Sequence, residues 1–63
     1  MADPWAWWSA DRIAAVTTCP VENVRENWPL IVDALDAQGI YDRDVARGVI
    51  GTVAIETAST FQP

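Results

Sequence analysis

The stretch NWPLIVDALDAQGI, residues 27–40, decides the fold. Trp28, Ile31, Val32 and Leu35 recur at three- and four-residue spacing, which puts them on one side of a helix. Asp33 and Asp36 fall on its polar side. Gly39 stands where a left-handed residue closes a helix, and Ile40 where a Schellman ending sets an apolar side chain against Leu35. Pro29 is the one discordant residue, because proline lacks the N–H and crowds the carbonyl four positions back. The reading is a segment over 21–38 broken near Pro29. A short turn over 21–26 ends, Asn27 caps a new helix, and Trp28 and Pro29 occupy its first turn.

Both flanks carry the same punctuation. Upstream, Asp3-Pro4 reads as a cap followed by proline at a first helical position, giving a short helical turn over 4–8. Ser9 caps a second helix over 10–17 that stops short of Pro20, with Asp11 in its first turn. Trp8 and Ile13 have the spacing of a hydrophobic staple around that cap. Downstream, Asp42 caps a last helix over 43–58, with Asp44 in its first turn. Val45, Ala46, Val49, Ile50, Val53 and Ala54 form its inward face. Gly48 and Gly51 are unfavourable inside a helix, so a close approach by another backbone or a ligand is expected there. No alternating strand pattern occurs. The expected class is all-α, three to four short helices forming a single unit over 1–63.

Composition sets the outer limits. A 63-residue chain hides only about 60% of its unfolded surface, yet 51% of this one is hydrophobic and four residues are tryptophan. One cysteine and no histidine exclude an internal disulfide and the common zinc sites, so no metal or other cofactor is expected. Cys19 reads as a small core residue. Nine acidic residues against four arginines, net −5, argue against nucleic acid, which is bound through Lys and Arg, and against anionic membrane surfaces. No uncharged run reaches the ~20 apolar residues of a membrane span. The start, Met1-Ala2-Asp3-Pro4-Trp5, lacks the basic and apolar regions of a secretory signal, so synthesis in a cytoplasm without a signal peptide is expected.

Most carboxylates sit where helices favour them, as caps, in first turns or on polar faces. Glu56 does not. At 100° per residue it projects between Val45 and Val49, at the margin of the apolar stripe, and close to the helix's negative end. Partial burial and the dipole both oppose ionisation, and a glutamate that keeps its proton near neutrality is what a general acid requires. Taken on periodicity alone, the other reading of Glu56 is a boundary residue that reaches water or pairs with an arginine.

The segment GVIGTVAIETASTFQP, residues 48–63, resembles the corresponding part of lysozyme-like phage endolysins and chitinase-like (family 19) glycoside hydrolases. Those enzymes have a small, apolar helix ending in a Glu-Ser or Glu-Thr pair, then small residues, an aromatic and often a proline. Residues 9–16 and 27–40 are similar, in the same order, to their first two helices. The resemblance implies that Glu56 is the catalytic acid, protonating the oxygen of a β-1,4 bond between amino sugars in peptidoglycan or a chitin-like polysaccharide. Thr57 would either hydrogen-bond that carboxyl at the substrate or cap the helix end. Ile55 departs from the histidine that many of those enzymes carry before the glutamate. Seven residues follow Glu56 here, whereas the family's second carboxylate and most of its cleft lie further downstream. The resemblance thus implies the N-terminal part of a larger lysozyme-like domain that acts on the cell wall, with this chain inactive alone and the remainder of the catalytic domain as its partner.

A glycosidase needs two carboxyl groups about the bond, ~5–5.5 Å apart if retaining and ~6.5–9.5 Å if inverting. Asp42, Asp44 and Glu26 are the other carboxylates considered, and each has a simpler use as a cap or surface charge. Two further readings stand beside the enzyme. One is a non-catalytic helical module that binds a partner protein or wall polymer through its tryptophans, Trp5 and Trp7 having no assigned face. The other is self-association that covers the apolar surface. If instead the helices are built to pack against a larger catalytic domain, the 45–53 face of residues 1–63 is expected to bind a hydrophobic dye.

Overall fold

A computed structural model of the chain describes residues 2–57 and 60–62. Three helices run through it: α1 over Ala10–Thr17, α2 over Val21–Ala37 and α3 over Arg43–Glu56. No strand occurs among the described residues, so the all-α class holds. The short α1 packs on both α2 and α3.

Each helix begins where its cap residue dictates. Ser9 Oγ accepts from the Arg12 amide at 3.1 Å, and Asp42 Oδ1 accepts from the Val45 amide at 2.8 Å. Each bond satisfies an amide that the first turn leaves without a partner. Pro20 precedes α2 in extended conformation, with Glu22 in the first turn. Gly39, at φ 70°, closes α2 with both Schellman bonds, Gly39 N–H to the Asp36 carbonyl and Ile40 N–H to that of Leu35. Ile40 nonetheless stays largely exposed.

Three expected boundaries are corrected. Residues 4–8 are not a helix: Asp3 Oδ1 accepts from the Trp5 amide and the Asp3 carbonyl from that of Ala6, which makes one turn. Nor does the chain break near Pro29. α2 is continuous through it because Val24, Trp28 and Val32, all fully buried, share one face only if the four-residue spacing is kept. Asn27, expected to cap a new helix, lies within α2, and its side-chain amide donates to the carbonyls of Asn23 and Phe61. The carbonyl deprived of an N–H by Pro29 is that of Arg25, an exposed position where water can substitute. The expected last helix over 43–58 ends at Glu56; Ala58 lies outside the described residues.

The core joins Ile13, Val24, Trp28, Val32, Ala46, Ile50 and Phe61, with Cys19 beside them as a buried free thiol. Both ends of the chain close onto α2 and its neighbourhood. At one end the Trp28 indole N–H donates to the Pro4 carbonyl at 2.8 Å, and the Tyr41 hydroxyl donates to that of Asp3 at 2.9 Å. At the other, the Phe61 ring meets the Trp28 ring edge-on, with centroids 6.3 Å apart. Asn23 and Asn27, one turn apart, donate to the carbonyls of Thr60 and Phe61, both at 2.9 Å.

Gly48 and Gly51 also depart from expectation. Among the described residues, a methyl group at either position would meet no atom within 4 Å beyond its own stretch of helix, so no other described backbone approaches them.

Candidate functional site at the end of helix α3

Glu56 is the last residue of α3, and its side chain is exposed. The helical wheel sets it beside Val45 and Val49, but those are only half-buried, and the neighbouring Ile55 is 81% exposed. The expected partial burial of Glu56 is therefore corrected: the apolar stripe runs beside it without covering it. Its carboxylate makes no hydrogen bond or ion pair among the described residues. The same side of the chemistry is met differently by Thr57. Its hydroxyl donates to the Val53 carbonyl at 2.7 Å and accepts from the Phe61 amide at 2.9 Å. Of the two uses open to Thr57, the one present is closure of the helix end, with no bond to Glu56.

The result is a firmly held helix end beneath Glu56. Thr57 ties the last turn of α3 to Phe61, and fully buried Phe61 is held against α2 by Asn27. The Thr60 amide and hydroxyl both donate to the Thr57 carbonyl, which completes the return. Glu56 thus projects from a helix end locked to the core on its other side.

A second carboxylate is not brought near it on α3. At 1.5 Å rise per residue, Asp42 and Asp44 lie about 20 Å from Glu56 along the axis, beyond either glycosidase spacing. Asp42 is moreover used as the cap of α3. Glu26 is exposed on α2. Among the described residues no group of three or more Cys, Asp or Glu side chains is placed to hold a metal ion, and no helix is long and apolar enough to cross a membrane.

The tryptophans divide by role. Trp28 is core. Trp5 and Trp8 are half-buried against it. Trp7 is 41% exposed and leans on Tyr41 and Trp8, with centroids 5.0 and 6.3 Å away. Burial, reinforced by the nearby Asp3 and Asp36 charges, raises the Tyr41 phenol above its usual value.

An open groove of about 610 Å³ lies between α1 and α3. Its apolar lining includes Trp8, Ile13, Val16, Ile50, Ala54 and Ile55, with Gly51 on one wall. Arg12, Arg43 and Arg47 supply its charge, three of the four arginines in the chain, and no carboxylate of the described residues lines it. The ion pair among the described residues is elsewhere, Arg25 to Asp11 at 3.3 Å. Sequence reasoning missed this groove because net charge hides where charges meet. The available signal was the spacing of Arg43, Arg47, Gly51 and Ile55, one side of a helix at four-residue steps.

A scan against protein-family models gives no match, and searches of curated proteins and of solved structures give none either.

Proposed function

We infer that the chain is the N-terminal part of a peptidoglycan-degrading glycoside hydrolase in which Glu56 is the general acid. The observation that carries this reading is the way the Glu-Thr-to-Phe segment is built. Thr57 and Phe61 are spent on anchoring, while Glu56 is exposed and its carboxylate has no partner among the described residues. A carboxyl placed so can reach a glycosidic oxygen once a polymer lies over the end of α3. The bound polymer and the remainder of the catalytic domain would then provide the water-poor surroundings and the second catalytic group that α3 does not supply.

The test is clearing of a cell-wall suspension by the complete product of the reading frame that carries residues 1–63, beside the same protein with Glu56→Gln. The amide keeps the shape and removes the proton, so loss of a general acid predicts a fall of about 100-fold or more. Equal clearing by the two proteins removes Glu56 from the role. Residues 1–63 alone are expected to clear nothing.

A further inference from the structure

The α1–α3 groove combines exposed apolar residues with like charges that have no partner among the described residues. Val16 is 74% and Ile55 81% exposed at its edges, and Arg12, Arg43 and Arg47 have no carboxylate partner among the described residues. Its free side-chain polar groups, the arginines and the Trp8 indole, only donate, and the Thr17 hydroxyl is engaged with the Ile13 carbonyl, so little in the lining accepts from the hydroxyls of a sugar chain. An apolar floor with a cationic rim suits an amphipathic helix that sets carboxylates beside an aliphatic knob.

The molecule carries such a face itself. On the outside of α2, roughly opposite the buried Val24–Trp28–Val32 stripe, stand Leu30, Ala34 and Ala37. Leu30 is 65% exposed, and exposed Glu26 and Asp33 lie one turn before and after it. At 1.5 Å per residue α2 is about 25 Å long, enough to run the full length of α3, about 21 Å. Charge complementarity also argues against the simplest alternative, since groove against groove would bring six arginines together.

We propose that the groove of one copy receives the outer face of α2 from a second copy, Leu30 entering between α1 and α3 level with the arginines while Glu26 and Asp33, on either side of it, meet Arg43 and Arg47. Because donor and acceptor faces differ, the contact is head-to-tail and extends beyond a pair unless a ring closes. The proposal is independent of the role of Glu56.

Sedimentation equilibrium of the 63-residue chain, at concentrations up to about 1 mM, tests it. The average mass is expected to rise above 6.9 kDa as concentration increases. One variant carries Arg43→Glu and Arg47→Glu; the other carries Glu26→Arg and Asp33→Arg. All four positions are exposed, and circular dichroism checks that the helices persist. Each variant alone is expected to associate about tenfold more weakly, since every rim pair becomes repulsive. Their equimolar mixture is expected to associate again, because each groove then faces an opposite charge on the other variant. A wild-type chain that stays at monomer mass overturns the proposal, as does a mixture that fails to recover. Unchanged association of either variant alone also overturns it. Uptake of dodecanoate by a chain that remains monomeric would reassign the groove to an anionic amphiphile.

Discussion

Thr18, directly after α1, holds φ at 57°, in the left-handed region that β-branched residues avoid. The position is imposed by the turn into Pro20, and Thr18 N–H and Cys19 N–H both bond the Ala14 carbonyl there. Relief of about 1–2 kcal/mol of local strain, set against roughly 0.5–1 kcal/mol of extra chain entropy, predicts that Thr18→Gly stabilises the fold by about 0.5–1 kcal/mol. Urea unfolding measures this directly; a destabilised variant would show that the Thr18 hydroxyl bond to the Thr17 carbonyl outweighs the strain. Tyr41 makes a prediction in pH. Its phenol is raised above 10 in the fold, so the folded chain holds the proton longer than the unfolded one. The associated stability is fully present below pH 10 and is lost as the pH climbs through the higher folded value. Tyr41→Phe should cost about 1 kcal/mol at pH 7 through the lost bond to the Asp3 carbonyl, and should flatten the alkaline limb of a stability–pH curve. An equally steep limb in the variant would assign it to another group. Glu56 shows what a residue-scale reading can give: the wheel places it correctly by angle, but exposure depends on which neighbours reach the last turn, and that is not encoded in the angle.

At the scale of the helix, two glycines lie in the middle of α3 with open space where a methyl would go. Neither requires glycine for its backbone angle or its surroundings, so Gly48→Ala and Gly51→Ala should each raise stability by about 0.5–1 kcal/mol, read from denaturant midpoints at constant slope. A loss at Gly51, which borders the groove, would mean that something in solution already occupies that wall. Helix starts and stops were legible because capping is local: Ser9, Asp42 and Gly39 need only their own few neighbours to act. Pro29 was misread for the opposite reason. A local rule assigns proline a cost of about 3 kcal/mol inside a helix, whereas burial of Val24, Trp28 and Val32 along one line is a tertiary gain of greater size. Asn27 has the composition of a cap, and nothing nearby in sequence says that its amide will serve a carbonyl 34 positions away. The arginine groove escaped notice likewise, since Arg12 meets Arg43 and Arg47 only after α1 is laid against α3.

For the molecule as a whole, the energetic centre is the meeting of Trp28 with Phe61, both fully buried. A core of this size supplies only about 3–5 kcal/mol, and Phe→Ala in a packed interior costs about the same. Phe61→Ala is therefore expected to leave the chain largely unfolded at 25 °C by circular dichroism, and a cooperative melt close to that of the wild type would show that the three helices hold without the C-terminal return. Asn27→Ala, which removes two bonds but no ring, should cost about 1–3 kcal/mol and retain the fold. The clasp has a consequence for synthesis as well. A ribosome delivers Trp28 long before Phe61, so during translation the widest ring of the core waits beside Val24 and Val32 with its lid still unmade. Helices α1 and α2 can form as they emerge, yet they stay unsealed until the Asn23–Asn27 pair captures the returning strand of chain. Biogenesis of this small fold is thereby timed by its sixty-first residue, and a nascent chain arrested shortly before Phe61 emerges should remain open to protease along α2.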